Sequence, residues 1–209
     1  MKNLFLSVGV LFLFVLSTTA QTQYEKGMTR AFELWKEGKL TEVSNLFERI
    51  SKAEKDNWLP PFYAGYIQVL SAFGVKDESV LKAKIDKARL FLDEAAKISP
   101  NNPEIMIIQA LANTAYIAFD GQKYGMTLSG KNVEIYTKAI QIAPENPRVI
   151  LSKAEWDMGG AKFFGKSTEP YCKDVEKAIA LFKKETVTEK FYPKWGLERA
   201  EQVLKDCKK

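Results

Sequence analysis

Residues 160–167, Gly-Ala-Lys-Phe-Phe-Gly-Lys-Ser, spell the phosphate-binding pattern G-x-x-x-x-G-K-[ST] letter for letter. In that pattern backbone amides cradle a nucleotide's phosphates, the lysine reaches the outer ones and the hydroxyl holds magnesium. The chemistry requires an apolar strand leading into the loop and a helix starting at its lysine. Here "SKAEWDMG" precedes Gly160 with a polar helical pattern, and Thr168-Glu169-Pro170 follows the serine. No strand carries an acid for magnesium either, so no nucleotide partner is expected. Ser79-Val-Leu-Lys82 likewise matches S-x-x-K, the nucleophile motif of penicillin-binding enzymes, but its companions S-D-N and K-T-G occur nowhere. The chain has no histidine, which excludes imidazole triads, proton shuttles and His-containing zinc sites. With no paired carboxylates at a recognisable spacing, the sequence reads as a non-enzyme without a cofactor.

The elements around these residues begin with an export signal. Lys2 supplies a positive start, Leu4 to Leu16 is an apolar run, and Thr18 and Ala20 are small where a signal peptidase reads. Residues 1–20 are read as a signal peptide cut after Ala20. The run is shorter than the roughly 20 residues a bilayer core needs, and no cysteine follows it to carry a lipid. An exported protein, periplasmic or secreted and without stable membrane insertion, is expected, with residues 21–209 as one domain. Without Lys2 the chain keeps 31 − 1 = 30 basic against 26 acidic side chains, mixed along its length. No basic block stands out, so no nucleic acid is expected as a partner.

The mature chain reads as helix nearly throughout, with Gly and Pro gathered between helical stretches. "KISPNNPEI" (97–105) and "QIAPENPRV" (141–149) are near copies, 44 residues apart. Proline cannot donate inside a helix but suits its first turn, so each x-P-x-N-P junction ends one helix and opens another. Val43, Phe47 and Ile50 lie on one helix face; Ala88, Leu92 and Ala95 repeat that spacing, as do Asn132, Tyr136 and Ala139, and Ala178 with Phe182 begins a fourth instance. With Ala31, Gly65, Ala110 and Ala154 as the small residues of the preceding helices, the chain resembles the tetratricopeptide repeat family over about residues 24–185. The resemblance implies an all-α, right-handed superhelix of about four helix pairs. "YPKWGLERAEQVLKDC" (192–207) is read as the capping helix such arrays need. Burial of each pair's apolar face against its neighbours, at ~25 cal/mol per Å², would hold the array together.

From the small helix-A residue to the early helix-B residue the first unit counts 12, Ala31 to Val43, as the family does. The next three count 23, 22 and 24, which implies inserted loops along one edge. Two of them, "DGQKYGMTLSG" (120–130) and "GGAKFFGKSTEPY" (159–171), set aromatics among glycines. Lys123, Tyr124, Met126, Lys162, Phe163 and Phe164 are candidates for an apolar, cationic binding lip, or alternatively plugs for the helix ends. The family resemblance also implies a groove lined by helix-A residues, here Met28, Phe32, Trp35, Glu104, Ile107, Leu111, Thr114, Arg148, Leu151 and Glu155. Arg148 and Glu155 would be its charged contacts with a partner. The expected function is a scaffold that binds a protein or peptide through groove and loops; a small-molecule binder or enzyme with a pocket under the loops is the alternative.

Cys172 opens the last helix B and Cys207 nearly ends the final helix. Antiparallel helices over 172–184 and 195–207 would bring both sulfurs to one end, and export permits a disulfide. The absence of C-x-x-C argues against a metal or redox pair.

Overall fold

The computed structural model describes residues 23–207, and among them there is helix, turn and coil but no strand. The segment read as a signal peptide lies outside the described residues. Helix α1 spans 23–36. It is followed by α2 (Leu40–Ala53), α3 (Leu59–Leu70), α4 (Glu78–Ile98), α5 (Pro103–Phe119), α6 (Gly121–Ile142) and α7 (Pro147–Phe163). A 3-10 turn (Glu169–Tyr171) leads into α8 (Cys172–Phe182), and α9 (Leu197–Cys207) closes the array.

The helix ends follow from local chemistry. At each x-P-x-N-P junction the asparagine is the N-cap and the second proline takes the first helical position, where its missing N–H costs nothing. The Asn102 side chain accepts from the Glu104 amide, and that of Asn146 accepts from the Arg148 and Val149 amides. Asp77 caps α4 in the same way. Asp120 serves two helices: its amide closes α5 on the Tyr116 carbonyl, while its carboxylate caps α6 by accepting from the Lys123 amide.

The extra residues of unit three are therefore helix rather than loop, while those of units two and four are shared between helix and the stretches between α-helices, 71–77 and 164–171. Segment 120–130 is the start of α6 apart from Asp120, and 159–163 is the end of α7. Gly121, Gly125, Gly130, Gly159 and Gly160, which suggested loops, sit inside helices because propensity is a weak prior. In α6 the half-buried Tyr124 and Leu128 pack against the main core and draw the glycine-rich turns into the helix.

Helices adjacent in the chain pack as antiparallel neighbours, and α3, α5 and α7 also lie side by side. Small residues set the closest crossings. A Cβ on Gly65 would lie 2.7 Å from Leu92 Cγ and 3.0 Å from the Ala88 carbonyl oxygen, so α3 meets α4 at the position where only hydrogen fits. In α6 the corresponding helix-B position is Asn132, fully buried. Its amide donates to the Ala110 carbonyl and to Thr114 Oγ1, both at 3.1 Å, and its oxygen accepts from Asn113 at 2.9 Å. A polar residue is tolerated there because every partner is supplied across the α5–α6 contact.

One hydrophobic cluster runs through α1–α6, and a second is built by α7, α8 and α9. Between α8 and α9 the chain is not helical over residues 185–196, and it leaves the edge of the array. It contacts α1 through Phe32, α3 through Tyr63, α5 through Glu104 and α7 through Arg148.

Candidate functional site

The surface that the family resemblance assigned to a partner is occupied by the protein's own chain. The Phe191 ring stacks on Phe32 of α1 with centroids 5.9 Å apart and meets Tyr24 edge-on at 5.7 Å. Its carbonyl accepts a 2.7 Å hydrogen bond from the Tyr63 hydroxyl of α3. Tyr192 meets Trp58 edge-on at 5.9 Å, and Trp195 lies 5.6 Å from Tyr66. Lys190 pairs with Glu25 of α1 at 2.6 Å. Met28, Ile107 and Leu151, expected in the groove, are buried.

Arg148 is corrected most sharply. Expected to face a partner, its side chain is 1 % exposed and sits in an ion cluster. Its Nε donates to Glu104 at 2.8 Å, and its two terminal nitrogens donate to Glu185 at 2.9 and 2.5 Å. Asn146 adds a 2.7 Å bond to the same Glu104 oxygen, and the Tyr192 ring covers the guanidinium at 5.6 Å. One cation faces two carboxylates. Burial consequently pushes the Glu104 carboxyl above the ordinary carboxylate range, with Arg148 pulling it down. Glu155 of α7 is half-buried and bonds Arg199 of α9 at 2.7 Å, so it too serves the array. Burial also raises the pKa of the Tyr63, Tyr66 and Tyr136 hydroxyls above the ordinary tyrosine value.

The edge where α3, α5 and α7 end is different. A cavity of about 330 Å³ is lined there by Ala72, Ala115 and Ala118 with Phe73, Phe119 and Lys76. Two residues beyond Phe119, Gly121 lies against the Phe163 ring, to which a Cβ would come within 3.6 Å. Phe163 in turn meets Phe164 edge-on at 5.1 Å. Four phenylalanines thus lie along this edge as a row of two pairs, Phe73 and Phe119 on the cavity and Phe163 with Phe164 beyond its lining. Phe73, Phe163 and Phe164 are exposed, the last two by 68 % and 72 %. Lys76, Lys162 and Lys166 are exposed beside them, and none makes an ion pair among the described residues.

Of the predicted lip, Phe163, Phe164 and Lys162 are in this row. Met126 is 94 % exposed on α6. Lys123 and Tyr124 are occupied: both bond Glu78 at the start of α4, Lys123 at 2.5 Å, and Tyr124 also packs on Tyr116 at 4.8 Å. Phe73, Phe119 and Lys76 were missed by sequence reasoning. The signal for the phenylalanines was positional: Phe119 and Phe163 each close a helix A, 44 residues apart, and Phe73 follows the end of α3 46 residues before Phe119.

The phosphate-binding pattern has the opposite polarity to the one it needs. Gly160–Phe163 end α7, and Gly165 takes the left-handed conformation at φ 65°. The Lys166 amide donates to Ala161 and the Gly165 amide to Lys162, the bonding of a glycine-terminated helix C-terminus. The amides are spent on carbonyls and the helix dipole presents its negative end there. Beside the Thr168 carbonyl Cys172 and Cys207 are joined in a disulfide, with Cα atoms 5.9 Å apart.

No protein-family model matches the chain, and no curated protein sequence matches it. Among solved structures it is similar to the HusA haemophore from Porphyromonas gingivalis, at 23 % identity over 88 % of this chain and 92 % of that one, with a TM-score of 0.78. The likeness establishes a shared helical fold.

Proposed function

We propose that the protein is an exported, tetratricopeptide-like binding protein, periplasmic or secreted, that performs no catalysis and holds a flat apolar ring system bearing acidic groups. A porphyrin such as haem is the ligand class with that chemistry. The observation that carries the reading is the row of Phe73, Phe119, Phe163 and Phe164 flanked by unpaired Lys76, Lys162 and Lys166. Ring faces suit a planar ligand and ammonium groups suit its carboxylates. The neighbouring fold belongs to a protein named as a haemophore, which supports the class of ligand.

Histidine is absent and both cysteines are in a disulfide, so neither imidazole nor thiolate is available to a metal; the phenylalanines themselves would grip the ring. Each aromatic contact adds about 0.5–1.5 kcal/mol beyond area burial, and exposed ammonium–carboxylate pairs add about 0–1 kcal/mol each. Titration of the mature protein with haem and with metal-free protoporphyrin, followed by absorbance, tests the reading: both should saturate near one equivalent.

A protein partner, expected from the sequence, has the same edge available. Phe163 and Phe164 lie beyond the lining of the cavity and form an exposed apolar pair a partner segment would cover.

A further inference from the structure

A second cleft, of about 520 Å³, opens between α2 and α4 over the end of α3. Its chemistry is unlike that of the aromatic edge. Thr41, Ser44, Asn45, Gln68, Ser71 and Ser79 supply hydroxyl and amide groups, and Lys84 and Lys87 supply positive charge. No carboxylate lines it.

The floor is organised by the protein itself. Gln68 Nε2 donates to the buried Ser44 hydroxyl at 2.7 Å, joining α3 to α2. Lys84 Nζ donates to the Ser71 hydroxyl at 3.1 Å, joining α4 to α3. The acids nearest the cleft are engaged outside its lining. Glu48 holds Lys87 at 3.0 Å, and Asp77 accepts from the Ser79 hydroxyl at 2.6 Å. Lys84 is the exception: half-buried, it has no carboxylate within ion-pair distance among the described residues, and a serine hydroxyl is its polar contact. A partly desolvated ammonium with only a neutral oxygen beside it favours an added anion, since hydrogen bonds to a charged acceptor are about twice as strong as neutral ones. The surrounding neutral donors and acceptors match hydroxyl groups, and the volume falls in the range of small-molecule sites.

We propose that this cleft binds a small polyhydroxylated anion, a sugar acid or a sugar phosphate, with Lys84 on the anionic group and Asn45, Gln68 and Ser71 on the hydroxyls. The site is independent of the aromatic edge.

Isothermal titration calorimetry with D-glucuronate and D-glucose 6-phosphate tests it, with D-glucose, acetate and inorganic phosphate as controls. At least one anionic sugar should bind at least about tenfold tighter than glucose and tighter than its own bare anion. The Lys84→Met variant keeps the aliphatic stem and should reduce that sugar to the affinity of glucose, with far-ultraviolet circular dichroism showing the fold retained. Asn45→Ala, at an exposed position, should weaken the anionic sugar without removing its advantage over glucose. Anionic sugars binding no better than glucose, or acetate or phosphate binding as well as the corresponding sugar, would overturn the proposal. So would a folded Lys84→Met variant that binds like the wild type.

Discussion

The Tyr63 hydroxyl donates to the Phe191 carbonyl at 2.7 Å across 128 residues of sequence. That bond ties the C-terminal crossing segment to the middle of the inner face. Around it Phe32, Trp58, Tyr66 and Arg148 hold residues 191, 192 and 195 in place. The inner surface of a repeat array is ordinarily where a partner lies; here it is core. The proposed recognition site lies instead at the edge where α3, α5 and α7 end.

Replacing Tyr63 with Phe removes the donor and leaves a half-buried carbonyl without its partner. The expected cost is about 1–3 kcal/mol, read as a lower midpoint in urea unfolding at an unchanged slope. No change in midpoint would show that the crossing segment is not held by this bond.

The ion cluster gives a pH dependence with a definite sign. Burial holds the native Glu104 carboxyl above its unfolded value of about 4.3. The native chain therefore binds this proton before the unfolded chain does, as the pH falls. The stability it contributes is fully present below the unfolded pKa and is lost as pH rises through the native one. Relative to a Glu104→Gln variant, the wild type should gain stability between pH 7 and 4.5. A difference that stays flat or moves the other way would contradict the placement of Glu104.

Asn132→Ala restores the residue type usual at an early helix-B position, yet it should destabilise the protein. The buried Asn113 amide loses its acceptor at 2.9 Å, and the Ala110 carbonyl loses a donor. The expected loss is about 1–3 kcal/mol, measured by chemical denaturation. A stabilised variant would mean that the buried network is not formed.

The disulfide closes a loop with a sequence separation of 35. Cys207→Ser should cost up to about 3–4 kcal/mol in the chain-entropy account. Hydrogen exchange should show the loss first in α9, whose buried contacts are few, Ala200 and Val203 among them. Uniform deprotection from α1 to α9 would instead mean that α9 is coupled to the whole array.

Much of the helical layout was legible because it is written in local chemistry. Pro103 and Pro147 with their asparagine caps mark helix starts, and Gly65 with Ala88 marks a close crossing whatever else the chain does. Cys172 and Cys207 needed only two helix ends to be placed. The path of residues 185–196 was not legible: "ETVTEKFYPKWG" has no helical or strand period, and its burial comes from contacts more than 30 residues distant. Arg148 was misassigned because charged side chains are rarely fully buried, and the two carboxylates that permit it lie 44 and 37 residues away. Phe163 and Phe164 were found as exposed aromatics, whereas Phe73 and Phe119 stood alone among apolar neighbours with nothing local to separate them from core.

The central claim is that the aromatic edge, and not the inner face, holds the ligand. Haem titration of the wild type beside a Phe163→Ser/Phe164→Ser variant tests it most directly, with far-ultraviolet circular dichroism as the check on folding. Both rings are largely exposed, so the variant should fold like the wild type. Its haem affinity should fall at least about tenfold, the equivalent of two lost aromatic contacts. A folded variant that binds haem as the wild type does, or a wild type that binds neither haem nor protoporphyrin, would contradict the account.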